Sequence, residues 1–294
     1  MTTAVKAFYQ AYPYPSGIES NRPCLDPGQL LGSVSQSQER SEPIQVLEAG
    51  CGCGLGLIAM AKRHPDMRFY GVDINPVAIA KAEAQVKSLS LSNIRFSLAN
   101  LMQPDDIEAP ETGFDLIYCF GVLHHLSDPA IGLKNLKRRL APDGLIVCMV
   151  YGRYGREPLQ RLLEAVNLTL DRSQPVAERL QPARLLAEVA DKTLFKNTPW
   201  RGTAQVNEVE FADRCLHVHV QSFDIDNLWE LLEEGGLRFV RWLEPEAWSA
   251  DGLFTNYEIK SLVERLSRKD QYKLIERLFY RPRLELILAP WERS

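Results

Sequence analysis

Between residues 44 and 151 the chain alternates short apolar runs with longer stretches of helical periodicity, and this alternation restricts the fold more than any other feature. Apolar runs bounded by turn residues and separated by amphipathic stretches are the sequence form of repeated strand-helix-strand units around a parallel sheet. The spacing predicts strands at 44–47, 68–72, 94–98, 114–120 and 144–150, with helices at 55–63, 77–88 and 133–140. Pro142-Asp143-Gly144 supplies turn chemistry ahead of the last of these strands.

Beyond Tyr151 the pattern changes to helical stretches punctuated by prolines, clearest at 159–170 and 183–194. Strand-helix character returns near Asp224, where Asp226 is expected to cap a helix ending at Glu234 and Gly235-Gly236 to stop it. Strands at 237–243 and 283–288 follow. The expected organisation is an N-terminal arm or lid at 1–43, an α/β core at 44–151, a helical insertion at 152–222 and a completion of the core sheet at 223–294. The Ser/Gln/Glu-rich stretch 33–42 reads as an exposed linker.

With 294 residues, 45% of them hydrophobic, the chain can bury a large core. It carries no apolar run of roughly 18 residues and begins without the features of a signal peptide, so a cytoplasmic protein without a membrane span is expected. Several of the six cysteines fall inside strands or a loop, which fits a reducing compartment. A net charge of -4 with the signs interspersed gives no footprint for a polyanion, so no nucleic-acid partner is expected. The basic group Lys134, Lys137, Arg138 and Arg139 reads as a solvated helix face.

The first strand runs into Glu48 and then Gly50, Gly52 and Gly54, three positions without side chains where the chain must turn and admit a ligand close to its backbone. A dinucleotide fingerprint requires G-x-G-x-x-G, and here its last position falls on Leu55 or Leu57. Further on, the second strand ends in Asp73, a carboxylate suited to accept both hydroxyls of a ribose.

The run Glu48-x-Gly50-x-Gly52-x-Gly54 resembles motif I of class I S-adenosylmethionine (SAM) dependent methyltransferases, and 114–126 resembles the fourth strand and following turn of the type 11/12-like small-molecule enzymes. The resemblance implies an α/β, doubly wound Rossmann-like methyltransferase sheet with a helical insertion before the C-terminal strands. It implies SAM as cofactor, held at its methionyl end by Glu48 and the glycine loop, at its ribose by Asp73, and at its adenine by Ile74, Asn100 and Leu101. Asn100 stands where the family usually carries an aspartate. Phe120 is expected beside the amino-acid portion of SAM. The implied reaction is O- or N-methylation of a small-molecule acceptor. The motifs report the donor and not its fate, so cyclisation of SAM or a non-catalytic SAM-binding regulator remain open.

Methyl transfer from a sulfonium is an in-line displacement that gains much from positioning, and a base matters only for a hydroxyl or protonated amine. His125, in the turn after the fourth strand, is the candidate base. His217 and His219 alternate along 216–220 and are expected to share one face of an extended segment lining the acceptor pocket. Two imidazoles with scattered carboxylates fall short of a ligand set, and Cys51-x-Cys53 sits inside the cofactor loop, so no metal is expected. Tyr9 and Tyr14, in an aromatic and proline-stiffened run, are lid candidates. Tyr151 and Arg153, at the carboxyl end of the fifth strand, are candidate substrate contacts, with Arg156 beside them. Trp200, Arg201, Phe211 and Trp229 give the insertion further pocket material.

Overall fold

Val46 and Leu47, Leu116 and Ile117, and Ile146 and Val147 are consecutive pairs without exposed surface, so the strands that carry them are covered on both faces. That burial is the signature of central parallel strands between layers of helix. The computed structural model describes residues 3–13, 26–34 and 43–291. Its seven strands are β1 (Gln45–Ala49), β2 (Arg68–Asp73), β3 (Ile94–Leu98), β4 (Phe114–Phe120), β5 (Leu140–Tyr151), β6 (Leu237–Trp242) and β7 (Arg283–Pro290). They form one sheet in the order β3-β2-β1-β4-β5-β7-β6. The β1 to β5 pairings are parallel, and β7 lies antiparallel between β5 and β6. The chain reverses its direction of travel across the sheet between β1 and β4, the switch point where doubly wound sheets open a crevice at their carboxyl ends.

The helices are α1 (Thr3–Ala11), α2 (Pro27–Val34), α3 (Leu55–Arg63), α4 (Pro76–Ser88), α5 (Pro129–Lys137), α6 (Arg153–Thr169), α7 (Val176–Lys192), α8 (Glu208–Cys215), α9 (Ile225–Gly235), α10 (Ala250–Leu253), α11 (Tyr257–Glu264) and α12 (Arg268–Leu278). Side chains fix several of their starts. Asn75 accepts from the Val77 amide with Pro76 following, and Asp128 accepts from the Ile131 amide with Pro129 following. Helices α6 to α8 carry an apolar cluster of their own around Leu159, Leu162, Phe195 and Phe211. Both ends of this helical stretch are tied to the end of β5, since the Phe223 amide donates to Tyr151 O and the Arg153 amide to Phe223 O. Among the described residues no helix is long and apolar enough to cross a membrane.

The structure departs from several of the expected local features. Asp224, not Asp226, caps α9, accepting from the Asn227 amide; Asp226 sits in the first turn, ion-paired to Lys269 and Lys273. Pro142-Asp143-Gly144 does not reverse the chain. The register passes from Phe114↔Leu140 to Leu116↔Leu145, so the intervening residues bulge within β5. Helix α6 begins at Arg153, ahead of the expected 159–170, and Pro158 and Pro182 lie inside α6 and α7. Each proline falls within the first two turns, where it removes a single intrahelical bond. Ser33 and Val34 belong to α2, whereas the rest of the expected linker lies outside the described residues. Helices α10 to α12, between β6 and β7, and the short α8 have no counterpart in the sequence reading.

Candidate functional site

Just past β1 the chain turns at Gly50 with φ of +80°, and a Cβ there would lie 2.2 Å from Cγ2 of Val122. Only glycine combines the left-handed backbone with so close a neighbour. The loop amides are spent internally: Gly50 and Cys51 donate to Val72 O at 2.7 and 3.0 Å, Gly52 to Asp73 Oδ2 at 2.9 Å and Gly54 to Cys51 O at 2.9 Å. These four amides are therefore not available to cradle a pyrophosphate, in keeping with the glycine spacing. That leaves carboxylate chemistry in charge, with Glu48 buried at the end of β1 between Gly71 of β2 and Tyr118 of β4.

Asp73 is held by two amides, Gly52 on Oδ2 and Asn75 on Oδ1 at 2.8 Å. A carboxylate has about four lone-pair sites, so two orienting amides are compatible with two ligand hydroxyls. Ile74 follows, half-buried. Asn100 closes a local turn, its Oδ1 accepting from the Met102 amide at 3.1 Å and its own amide donating to Asp106 Oδ2 at 3.0 Å. Leu101 is buried, and its carbonyl accepts from Asn135 Nδ2 at 2.9 Å. Phe120, half-buried at the end of β4, lies 6.1 Å from Tyr118, ring centre to ring centre.

The tight turn Leu123–His125 after β4 brings two imidazoles into a buried group of rings. His124 stacks on Tyr151, centroids 3.7 Å apart and planes 25° apart. His125 lies 3.9 Å from the ring of His217 and 6.0 Å from that of Tyr9. The peptide of His219 fixes both rings. His125 Nδ1 meets His219 O at 2.9 Å, and a carbonyl only accepts, so this nitrogen carries the hydrogen and Nε2 of the neutral ring presents a lone pair. The His219 amide donates to His217 Nδ1 at 3.1 Å, which places the hydrogen of that neutral ring on Nε2. Burial pushes His125 down to about 3 and holds His124 and His217 far below the usual imidazole range, so all three are neutral at pH 7.

Asp213, on α8, is buried beside them, and burial raises its carboxyl to about 6, against the lowering effect of a hydrogen bond from Tyr9. The Tyr9 hydroxyl donates to Asp213 Oδ1 at 3.2 Å, while its carbonyl accepts from Asn75 Nδ2 at 2.9 Å. Tyr9 therefore ties α1 both to the cap of α4, two residues from Asp73, and to α8. The Arg156 guanidinium, itself buried, lies 3.5 Å above the Tyr151 ring. One nitrogen of each of His125 and His217 and one carboxylate oxygen of Asp213 lie within 4.8 Å of one another.

Of the residues singled out in the sequence, the fold gathers Tyr9, His125, Tyr151 and His217. Arg153 points away, its side chain largely exposed and paired with Asp224 at 3.1 Å. His217 and His219 do not share a strand face. Residues 216–222 form an irregular turn, and the His219 ring bonds Leu126 O at 3.0 Å while its peptide serves the other two imidazoles. Tyr14 lies outside the described residues. Arg156, the alternative to Arg153 as a partner of an acceptor carboxylate, is buried in this group, and Asp213 and His124 join it without a counterpart among the expected site residues. The signal for Asp213 was a carboxylate embedded in the buried run Phe211-Ala212-Asp213 of an amphipathic helix.

An uncharacterized Synechococcus protein is 27% identical over 95% of this chain and 69% of its own length. A malonyl-[acyl-carrier protein] O-methyltransferase of Paenibacillus is 31% identical over 42% of this chain and 45% of its own length. PKMT2 from Rickettsia typhi superimposes with a TM-score of 0.73 at 19% identity, covering 91% of this chain and 53% of that protein, and a second structure of it holds AdoHcy. The chain thus spans about half the length of these last two proteins. Residues 26–241 match the methyltransferase-domain family. The chain belongs to that family, the class I SAM-dependent methyltransferases, and its cofactor is S-adenosyl-L-methionine.

Proposed function

We propose that this protein transfers the methyl group of SAM to a small-molecule acceptor at oxygen or nitrogen. SAM supplies an electrophilic methyl carbon on a positively charged sulfur. Asp73 holds the ribose, Ile74, Asn100 and Leu101 flank the adenine, and Glu48, the glycine loop and Phe120 hold the methionyl end. The acceptor lies beneath Tyr9, among Tyr151, His125 and His217, with Arg156 behind Tyr151.

The observation that carries this reading is the tether of Tyr9. Its carbonyl is bonded to the Asn75 cap beside Asp73 and its hydroxyl to Asp213, a double tie that supports reading the ribose carboxylate and the buried histidines as parts of one site. The glycine loop, with its amides engaged, fits a ligand whose methionyl end is cationic. Enclosure of the histidine group by α1 and α8 favours a small acceptor over a macromolecular one. A histidine held at about 3 is a weak base, so His125 orients the acceptor through Nε2. Free thiols at Cys51, Cys53, Cys119, Cys148 and Cys215 suit the reducing cytoplasm.

Calorimetry with AdoHcy tests the cofactor assignment. Asp73→Ala is expected to weaken binding by 10-fold to 100-fold or more, on the order of 1.5 to 3 kcal/mol for a charge-assisted contact. An unchanged dissociation constant would remove the ribose contact. Product analysis tests the reaction: AdoHcy with a methylated acceptor supports it, and methylthioadenosine in its place indicates cyclisation.

A further inference from the structure

The group of His125, Asp213 and His217 has the composition of a divalent-cation site and a different hydrogen pattern. A metal ligated through two Nε2 atoms needs a lone pair on both. Here the His219 peptide sets the rings in opposite tautomers: His125 presents a lone pair at Nε2, and His217 presents an N–H. His217 Nε2 is buried and makes no hydrogen bond within the protein. An N–H left so in a buried site is costly unless a ligand accepts from it. Two acceptors stand by the same ring, since a nitrogen of His217 lies within 4.8 Å of a His125 nitrogen and of an Asp213 carboxylate oxygen. The matching occupant accepts one hydrogen bond and donates one. A hydroxyl group does both, whereas a metal cation, or the ammonium form that an alkyl amine takes at pH 7, accepts nothing from His217.

We infer that these three residues seat a hydroxyl group of the methyl acceptor, making the protein an O-methyltransferase, an inference that rests on the methyl transfer proposed above. His217 Nε2 donates to the hydroxyl oxygen and fixes its position, and His125 Nε2 lines the other side. The acceptor oxygen forms a bond to the methyl carbon as the carbon–sulfur bond breaks, with its electron pair staying on sulfur. The hydroxyl proton passes to the Asp213 carboxylate and from there to solvent, leaving a methyl ether, neutral AdoHcy and one proton. The Tyr9 hydroxyl, bonded to Asp213 Oδ1, holds that carboxylate in place.

Nitrogen NMR of the full chain labelled with 15N-histidine reads the seat without cofactor or substrate. The expected spectrum has His125 protonated at Nδ1 and His217 at Nε2, and the same tautomer in both rings overturns the inference. Titration with Zn2+ gives a second reading. Stoichiometric tight binding that disappears in His217→Ala makes the group a cation site and also overturns it. With methyl-labelled SAM, alcohols and phenols are compared with primary amines of the same skeletons. Label is expected in the hydroxyl compounds, with Asp213→Asn lowering kcat by about 100-fold or more while KM for SAM stays unchanged. Label in the amines, or a kcat indifferent to Asp213→Asn, overturns the inference. Failure of AdoHcy to bind at all strikes instead at the proposed function and leaves the tautomers as they are, so the two failures are separable.

Discussion

Gly50→Ala should damage the protein in two separable ways, and a second substitution should undo only one of them. The added Cβ is forced into a left-handed backbone at φ of +80°, which costs about 1 to 2 kcal/mol. It also meets Val122 Cγ2 at 2.2 Å, where ordinary contact begins at 3.4 Å, so the two groups must part by 1.2 Å (3.4 − 2.2). Val122 is buried and β-branched, so its side chain yields little, and overpacking of this kind costs about 1 to 3 kcal/mol. The single variant is therefore expected to lose roughly 2 to 5 kcal/mol. Val122→Ala on its own removes two buried methyl groups, about 2 kcal/mol. In the double variant the nearest remaining atom is the Val122 Cβ at 3.4 Å, so the clash term vanishes while the backbone term stays. Urea unfolding of the four proteins should show the double variant more stable than the sum of the singles by about 1 to 3 kcal/mol. Additivity within about 0.5 kcal/mol would refute the contact between the glycine loop and the turn after β4.

Acid should destabilise the fold through the buried imidazoles. The folded values of His124, His125 and His217 lie below the unfolded one, so their contribution is present above the unfolded value near 6.5 and is lost as pH falls toward about 3. Asp213 runs the other way. Its folded value of about 6 exceeds the unfolded value of 3.8, so its contribution is present below 3.8 and lost as pH rises through 6. Asp213→Asn should thus steepen the acid loss between pH 6 and 4 in urea midpoints, and parallel curves for the two proteins would contradict the burial of this carboxylate. In Gly155→Ala the new Cβ meets backbone atoms of Arg281 and Pro282 at 2.3 Å, so we expect a loss of about 3 kcal/mol that no side-chain truncation rescues. Gly56→Ala, in open space on α3, should gain about 0.5 to 1 kcal/mol in the same melts. Arg153→Ala, removing a largely exposed partner of Asp224, should change stability by less than about 1 kcal/mol; a larger drop would show the pair to be structural.

The core strands were legible because burial on both faces leaves unbroken apolar runs, and β3, β4 and α3 fall where periodicity puts them. Helix caps were legible as a type and not as a position: Asp224 and Asp226 both suit a cap, and only the geometry of the first turn distinguishes them. Pro142-Asp143-Gly144 misled for a related reason, since the same residues serve a reversal and a bulge, and the register of the neighbouring strand decides. In the candidate site, Glu48, Asp73 and the glycines stand at strand ends, where local sequence suffices to single them out. His125 and His217 are legible one by one, but their meeting with Asp213 is not, because the parts come from α1, the turn after β4, α8 and the turn after α8. Their meeting is a property of packing, and the dependence of two imidazoles on the His219 peptide leaves no trace in the identity of any side chain.

The place of β7 bears on the order in which a ribosome can deliver a foldable chain. Among the described residues β6 pairs with no strand other than β7, yet it is synthesised first, with α10, α11 and α12 made in between. At about 5 to 20 residues per second it waits several seconds before its only neighbour emerges. Its bonding edge is unsatisfied for that interval, during which the five strands from β3 to β5 already have every parallel partner they need. Nascent chains stalled between β6 and β7 should therefore present a formed cofactor half and an adhesive trailing strand, the stage at which this protein is most exposed to aggregation.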